Sequence, residues 1–194
     1  MQIGKDIHAV QRIFKEIDKS TRNFLGKVEV SCPKGCNKCC HGKKVAAVPL
    51  EFLPYANHLY QTGELENKYW EFKSKEVSGC FLVEDDEHSL NGKCSMYDYR
   101  GAICRLFGNC ANIHKNGEKQ FSACAILKSQ IIDKEKFNST LQLSAPIYSN
   151  YYMKLRAIDP TNGAMMFPIN IAILKAMELV YNNTRGHRKP VGLK

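Results

Sequence analysis

Cys32-Pro33-Lys34-Gly35-Cys36-Asn37-Lys38-Cys39-Cys40 places four thiols within nine residues, at spacing C-x3-C-x2-C-C. Packing alone rarely crowds thiols this way. A short loop carrying several of them can wrap a metal or cluster, because each further thiolate needs little extra chain ordering to reach it. The chain is therefore expected to fold around a soft-metal centre held by this loop. The loop also divides the chain: amphipathic helix before it, and a hairpin and further helices after it.

The region N-terminal to the loop reads as one helix over residues 3–25. Ile3, Ile7, Val10, Phe14, Ile17 and Phe24 recur at three- and four-residue steps, with charged residues between them and Gly26 as a stop. C-terminal to the loop, Pro49 suits the first position of a helix over 50–61, which Gly63 breaks. A third helix is predicted over 64–77, with Trp70 in the core. Residues 80–97 differ. Cys80-Phe-Leu-Val is a short apolar run, an acidic loop follows, and Asn91-Gly92 marks a turn before Lys93-Cys94, which together predict a β-hairpin with an enlarged loop. Asp98 is the expected N-cap of a helical turn ending at Gly108-Asn109, and 118–124 suits a short strand. Helices are expected over most of 126–158, with a break near Pro146, and over 168–182, where Ile169, Ile173, Met177 and Val180 make the buried stripe. The expected fold class is mainly α with a cysteine-rich metal-binding loop and a small β-hairpin. It would form a single domain over 1–194, with a cysteine-cluster metal-binding region at 31–110 and C-terminal helical support at 126–182.

The hairpin and the turn after it carry a second thiol group, Cys80, Cys94 and Cys104. Candidate metal ligands are thus Cys32, Cys36, Cys39, Cys40, Cys80, Cys94 and Cys104. Adjacent side chains diverge, so Cys39 and Cys40 are expected to serve different directions. One centre built from both groups and two separate centres satisfy the spacing equally. Nine cysteines, an odd count, argue for ligands rather than a disulfide framework. Cys110 and Cys124 read equally well as ligands and as inert core residues. Paired C-x2-C units are the usual zinc pattern, and only Cys36 and Cys39 form one here. Uneven, thiolate-only spacing favours an iron–sulfur cluster, 4Fe-4S in the first place, with zinc as the alternative.

The formal charge is +9. A four-thiolate zinc site or an oxidised 4Fe-4S site carries about −2, so part of the basic excess compensates the centre. Lys34, Lys38, Lys43 and Lys44 surround the thiols and are expected to lower their pKa values. The N-terminus carries charge where a signal peptide needs an apolar run, and no stretch approaches the length of a membrane span. A cytoplasmic protein with no membrane partner is expected, with disorder confined to the tail after Tyr181.

Three passages together, Gly79-Cys-Phe-Leu-Val, Lys93-Cys-Ser-Met-Tyr-Asp-Tyr-Arg100 and Ile103-Cys-Arg-Leu-Phe107, accompany the first cysteine loop. Their pattern resembles the YkgJ-type cysteine-cluster family, a zinc- or iron-chelating domain with the signature CxxCxxCC. The first gap here is one residue longer. Gly101 stands where the family has a proline, which is expected to loosen that turn. The resemblance spans about residues 31–108 and implies metal chelation. Arg100 and Arg105 fall on the family's two arginines, and they are the candidates to donate to the thiolates or to a bound anion. One branch resembles flagellin lysine N-methylases, which makes methyl transfer, and with it S-adenosylmethionine, an alternative; no glycine-rich loop for that cofactor stands out.

Three function classes follow. The first is a metal protein serving electron transfer, sensing or catalysis, with a redox partner or a protein substrate. The second is a radical S-adenosylmethionine enzyme, whose motif shares the spacing of Cys32, Cys36 and Cys39; the run of βα units it needs is absent from the pattern. The third is a structural zinc module that binds nucleic acid, which the basic balance and the tail Arg185-Gly-His-Arg-Lys-Pro favour. Even so, nucleic acid is not expected as a partner, because no basic–aromatic interleaving lies near the loop and the basic tail from Arg185 reads as solvated.

Overall fold

The computed structural model describes residues 2–33, 35–42, 44–76, 79–85 and 92–184. Helix α1, Gln2–Leu25, buries Ile3, Ile7, Val10, Ile13, Phe14, Ile17, Thr21 and Phe24. This is the stripe that the three- and four-residue steps require. Gly26 ends it, its N–H donating to the Arg22 carbonyl at 2.9 Å. The chain then runs through the cysteine loop, which holds a single 3-10 turn at Lys38–His41. Strand β1 is Ala46–Ala47. Pro49 opens a 3-10 turn, Pro49–Phe52, that passes into α2, Leu53–Thr62. Gly63 closes α2 in the left-handed region at φ 76°, where a side chain would be strained.

Helix α3 is Leu65–Ser74. It is shorter than expected, with Lys75 and Glu76 already outside it. Trp70 corrects the sequence reading. It is 64% exposed on α3, because Leu65 and Phe72 are the residues that α3 buries. Strands β2, Val83–Asp85, and β3, Gly92–Cys94, form the expected antiparallel hairpin, with Val83 opposite Cys94. Asn91 of the expected turn and His88 of its loop lie outside the described residues.

Asp98 is not a helix cap. It lies within a 3-10 turn, Tyr97–Tyr99, and the next helix, α4, Ala102–Leu106, is N-capped by Gly101. Gly108 follows α4 at φ 81°. A second hairpin then pairs β4, Cys110–Ile113, with β5, Lys119–Ser122. Only the second of these strands was expected. Helices α5, Ala125–Ser129, α6, Lys134–Ser144, and α7, Tyr148–Ile158, follow, with a break at Pro146 as anticipated. Pro168 belongs to strand β6, Phe167–Pro168, which pairs with β1, rather than to the first turn of the last helix. That helix, α8, is Ile169–Thr184 and buries Ile169, Ile173, Met177 and Val180. It extends past the expected start of disorder; the basic tail from Arg185 lies outside the described residues.

Two apolar clusters hold the fold. The larger joins α1, α2, α7 and α8 to the residues around Cys80 and α4. The smaller centres on Phe24, Phe121 and Phe137, whose rings meet edge-to-face at 5.1 to 6.4 Å. Each fully buried Leu, Ile or Phe contributes roughly 1.5–3 kcal/mol. Cys40 of the cysteine loop packs against the larger cluster, and Val30, just before the loop, belongs to the smaller. Among the described residues no helix is long and apolar enough to cross a membrane.

Candidate metal centre

Four separate segments place five thiols within electrostatic reach of one another. Cys39 and Cys40 come from the 3-10 turn of the loop, Cys80 from the turn before β2, Cys94 from the end of β3, and Cys104 from α4. The Cys40 thiol hydrogen-bonds the Cys39 sulfur, and Cys80 and Cys104 lie within electrostatic reach of Cys40. Cys39 in turn influences Cys80, Cys94 and Cys104. The loop is locked to the hairpin by backbone. The Cys80 N–H donates to the Cys40 carbonyl at 2.8 Å, and the Gly92 N–H to the Gly35 carbonyl at 3.2 Å. Gly79 is required for that approach, since a Cβ there would stand 2.8 Å from the Cys40 carbonyl oxygen.

A second group lies outside the first. The Cys32 thiol hydrogen-bonds Cys36, and Cys39 and Cys124 are within electrostatic reach of it. The Ser31 N–H, donating to Gln130 Oε1 at 3.0 Å, ties this end of the loop to the residues after α5. Cys124 thus joins the loop cysteines, a placement its position in the sequence does not signal. Cys110 does not join them. It is fully buried in the core and bonded to Ser122. Among the described residues, no three or more His, Cys, Asp or Glu side chains are already arranged as a metal-ligand set. The thiols meet as neighbours, not as a closed coordination sphere.

The electrostatics separate one thiol from the rest. Cys39 is pulled down to about 6, first by the hydrogen bond from Cys40, with backbone hydrogen bonds and the Arg100 charge adding to it. Burial pushes Cys80 up to about 11 and raises Cys94 and Cys104 as well. Among the described residues, the cation that acts on these sulfurs is Arg100, which favours the thiolate at both Cys39 and Cys94. Lys38 and Lys44 are exposed, and Lys34 and Lys43 lie outside the described residues. Arg100 is itself braced, its Nε donating to the Tyr97 carbonyl at 2.9 Å and its guanidinium lying over the Tyr97 ring.

Arg105 has a different role. It is buried, pairs with Asp18 at 2.6 Å, donates to the carbonyls of Arg100 and Asp98, and covers the Phe14 ring. Its donors fasten α4 and the preceding turn to α1, so of the two arginines Arg100 alone is placed beside the sulfurs.

Two residues that sequence reasoning missed position the ligands. Glu51 is wholly buried. Its carboxylate accepts from the Val48 N–H at 2.8 Å, the Ile103 N–H at 2.7 Å and the Tyr152 hydroxyl at 3.0 Å, with the Ala102 N–H adding to these. It thereby caps α4 from a distant segment and fixes the turn that carries Cys104. Burial raises its pKa to about 7 against these hydrogen bonds. Asn170, on α8, does the same for Cys80: its amide accepts from the Phe81 N–H at 2.9 Å and donates to the Gly79 carbonyl at 2.7 Å. Gly101 is also explained. Its φ of −63° suits any residue, but a Cβ would stand 2.7 Å from Glu51 Oε2 and 3.0 Å from the Phe52 ring. The glycine tightens this corner against Glu51; it does not loosen it.

No family model, curated protein or solved structure matches this chain. The resemblance to the YkgJ-type family stands on the quoted residues alone.

Proposed function

We propose that this protein holds an inorganic centre on thiolates, an iron–sulfur cluster in the first place and zinc as the alternative. The observation that carries this reading is that Cys39, Cys40, Cys80, Cys94 and Cys104, from four segments of chain, lie within electrostatic reach of one another, and that Arg100 acts on two of them. The donor set fits either occupant chemically, since soft thiolates without oxygen or nitrogen ligands suit zinc and iron–sulfur clusters. Cys32 and Cys36 extend the set toward solvent. A cluster there would supply one-electron chemistry. The protein's own contribution is to hold the sulfurs. Glu51 fixes Cys104, Asn170 fixes Cys80, and Arg100 offsets the negative charge that gathers on the thiolates.

The test is anaerobic purification with iron, zinc and acid-labile sulfide measured on the wild type and on Cys39→Ser, Cys104→Ser and Cys110→Ala. The proposal expects matched iron and sulfide in the wild type, loss in the first two variants and retention in Cys110→Ala. Stoichiometric zinc without sulfide selects the zinc alternative. A wild type lacking both metals rejects the proposal.

A further inference from the structure

Helix α1 presents Lys5, His8, Arg12, Lys15, Lys19 and Arg22, all exposed. Their steps are three, four, three, four and three residues. At about 100° per residue they fall in one sector of roughly 100°, directly opposite the buried stripe, and at 1.5 Å per residue they form a straight file about 25 Å long. Gly4, Gln11 and Asn23 are the uncharged residues among them. Of the helix's acids, Asp6 and Asp18 lie off this face and Glu16 borders it, about 20° beyond Lys5, and all three are engaged. Asp6 accepts from Gln2, Glu16 pairs with Lys154 and Asp18 with Arg105. Among the described residues none of the five lysines and arginines makes an ion pair.

Ordinary solvated helices intersperse the two signs, because like charges three or four residues apart destabilise the helix. This file keeps one sign along most of the helix. We propose that the exposed face of α1 binds the phosphate backbone of duplex DNA. Among the described residues, none of the exposed large apolar side chains lies on α1. The face therefore lacks the apolar anchor that a specific protein interface uses and the apolar residues that insert into a bilayer. It also lacks aromatic rings on which single-stranded bases could stack. Neutralising phosphates needs none of these, only cations in a row. The B-form major groove admits an α-helix, whereas the A-form groove of duplex RNA is too narrow. The basic surface missed by a search near the cysteine loop thus lies on the first helix, and this inference stands whether or not the thiols hold metal.

The experiment measures fluorescence anisotropy of a labelled duplex of about 20 base pairs with the full chain over roughly 50–200 mM salt. Five permanent cations predict a slope of log K against log salt near −4.5, at about −0.9 per phosphate neutralised. The triple variant Arg12→Gln, Lys15→Gln, Lys19→Gln keeps helix propensity and is expected to flatten the slope by about 2.7. Lys115→Gln, Lys128→Gln, Lys134→Gln changes the net charge equally, and it is expected to keep the wild-type slope. Equal loss in the two triple variants overturns the proposal, as does absence of binding at the lowest salt. So does tighter binding to duplex RNA, to phosphatidylserine-containing vesicles or to a polyglutamate peptide.

Discussion

Replacing Glu51 by glutamine tests how the protein positions Cys104. In the folded protein this carboxyl is wholly buried and its pKa is raised from 4.5 to about 7 by burial. The folded state therefore holds a proton that the unfolded chain releases above its ordinary carboxyl pKa. Stability from this group is full below about pH 4.5, falls as pH rises toward 7, and is flat above it. The interval from 4.5 to about 7, at roughly 1.4 kcal/mol per pH unit, corresponds to about 3 kcal/mol between acid and mildly alkaline solution. The glutamine amide of the Glu51→Gln variant carries no such dependence. It also cannot accept from all of the Val48 and Ile103 N–H groups and the Tyr152 hydroxyl that meet the carboxylate, and an orphaned buried donor costs about 1–3 kcal/mol at every pH. Urea unfolding of both proteins at pH 5 and pH 8 separates the two effects. The penalty of the substitution should be largest at pH 5 and shrink by about 2–3 kcal/mol at pH 8. A constant difference across that range would refute the claim that the buried acid stays protonated toward neutrality.

Gly101→Ala should lower stability by about 1–3 kcal/mol in urea unfolding, because the new Cβ meets Glu51 and the Phe52 ring; an unchanged midpoint would mean that this corner has slack. Arg105→Lys should destabilise by a similar amount, since one ammonium cannot reproduce the fork onto Asp18, Asp98 and Arg100. It should leave metal content alone; a folded variant that lost its metal would place Arg105 at the centre itself. Trp70, the sole tryptophan, should fluoresce as a solvated indole in the native state and be quenched by iodide nearly as well as after unfolding; strong native protection would contradict its exposure on α3.

The helices were legible because apolar residues at three- and four-residue steps have one structural explanation, and α1 and α8 bury the stripes so marked. The hairpin that carries Cys94 was legible from its turn signal, whereas the grouping of the thiols was not: Cys39 and Cys40 act on Cys80 and Cys104, and Cys32 on Cys36 and Cys124. Trp70 was misplaced because a large apolar residue in a helix is core on average, and only the neighbours of α3 decide which side is covered. The hairpin of β4 and β5 did leave a signal, Asn116-Gly117, with Gly117 at φ 85°. Glu51 left none. A glutamate just after a helix-opening proline reads as a surface charge, and its role emerges only when α4 and Tyr152, distant in sequence, close over it. Cys124 is similar, since its neighbour Cys32 is set by the packing of the smaller core.

X-ray absorption at the metal edge of the anaerobically purified protein tests the central claim most directly. Thiolates gathered from the loop, the hairpin and α4 predict a first shell of sulfur alone, at about 2.3 Å for zinc, and for a cluster an added iron–iron shell. A first shell of oxygen and nitrogen, or a protein that binds no metal while its thiols titrate as free, would contradict it.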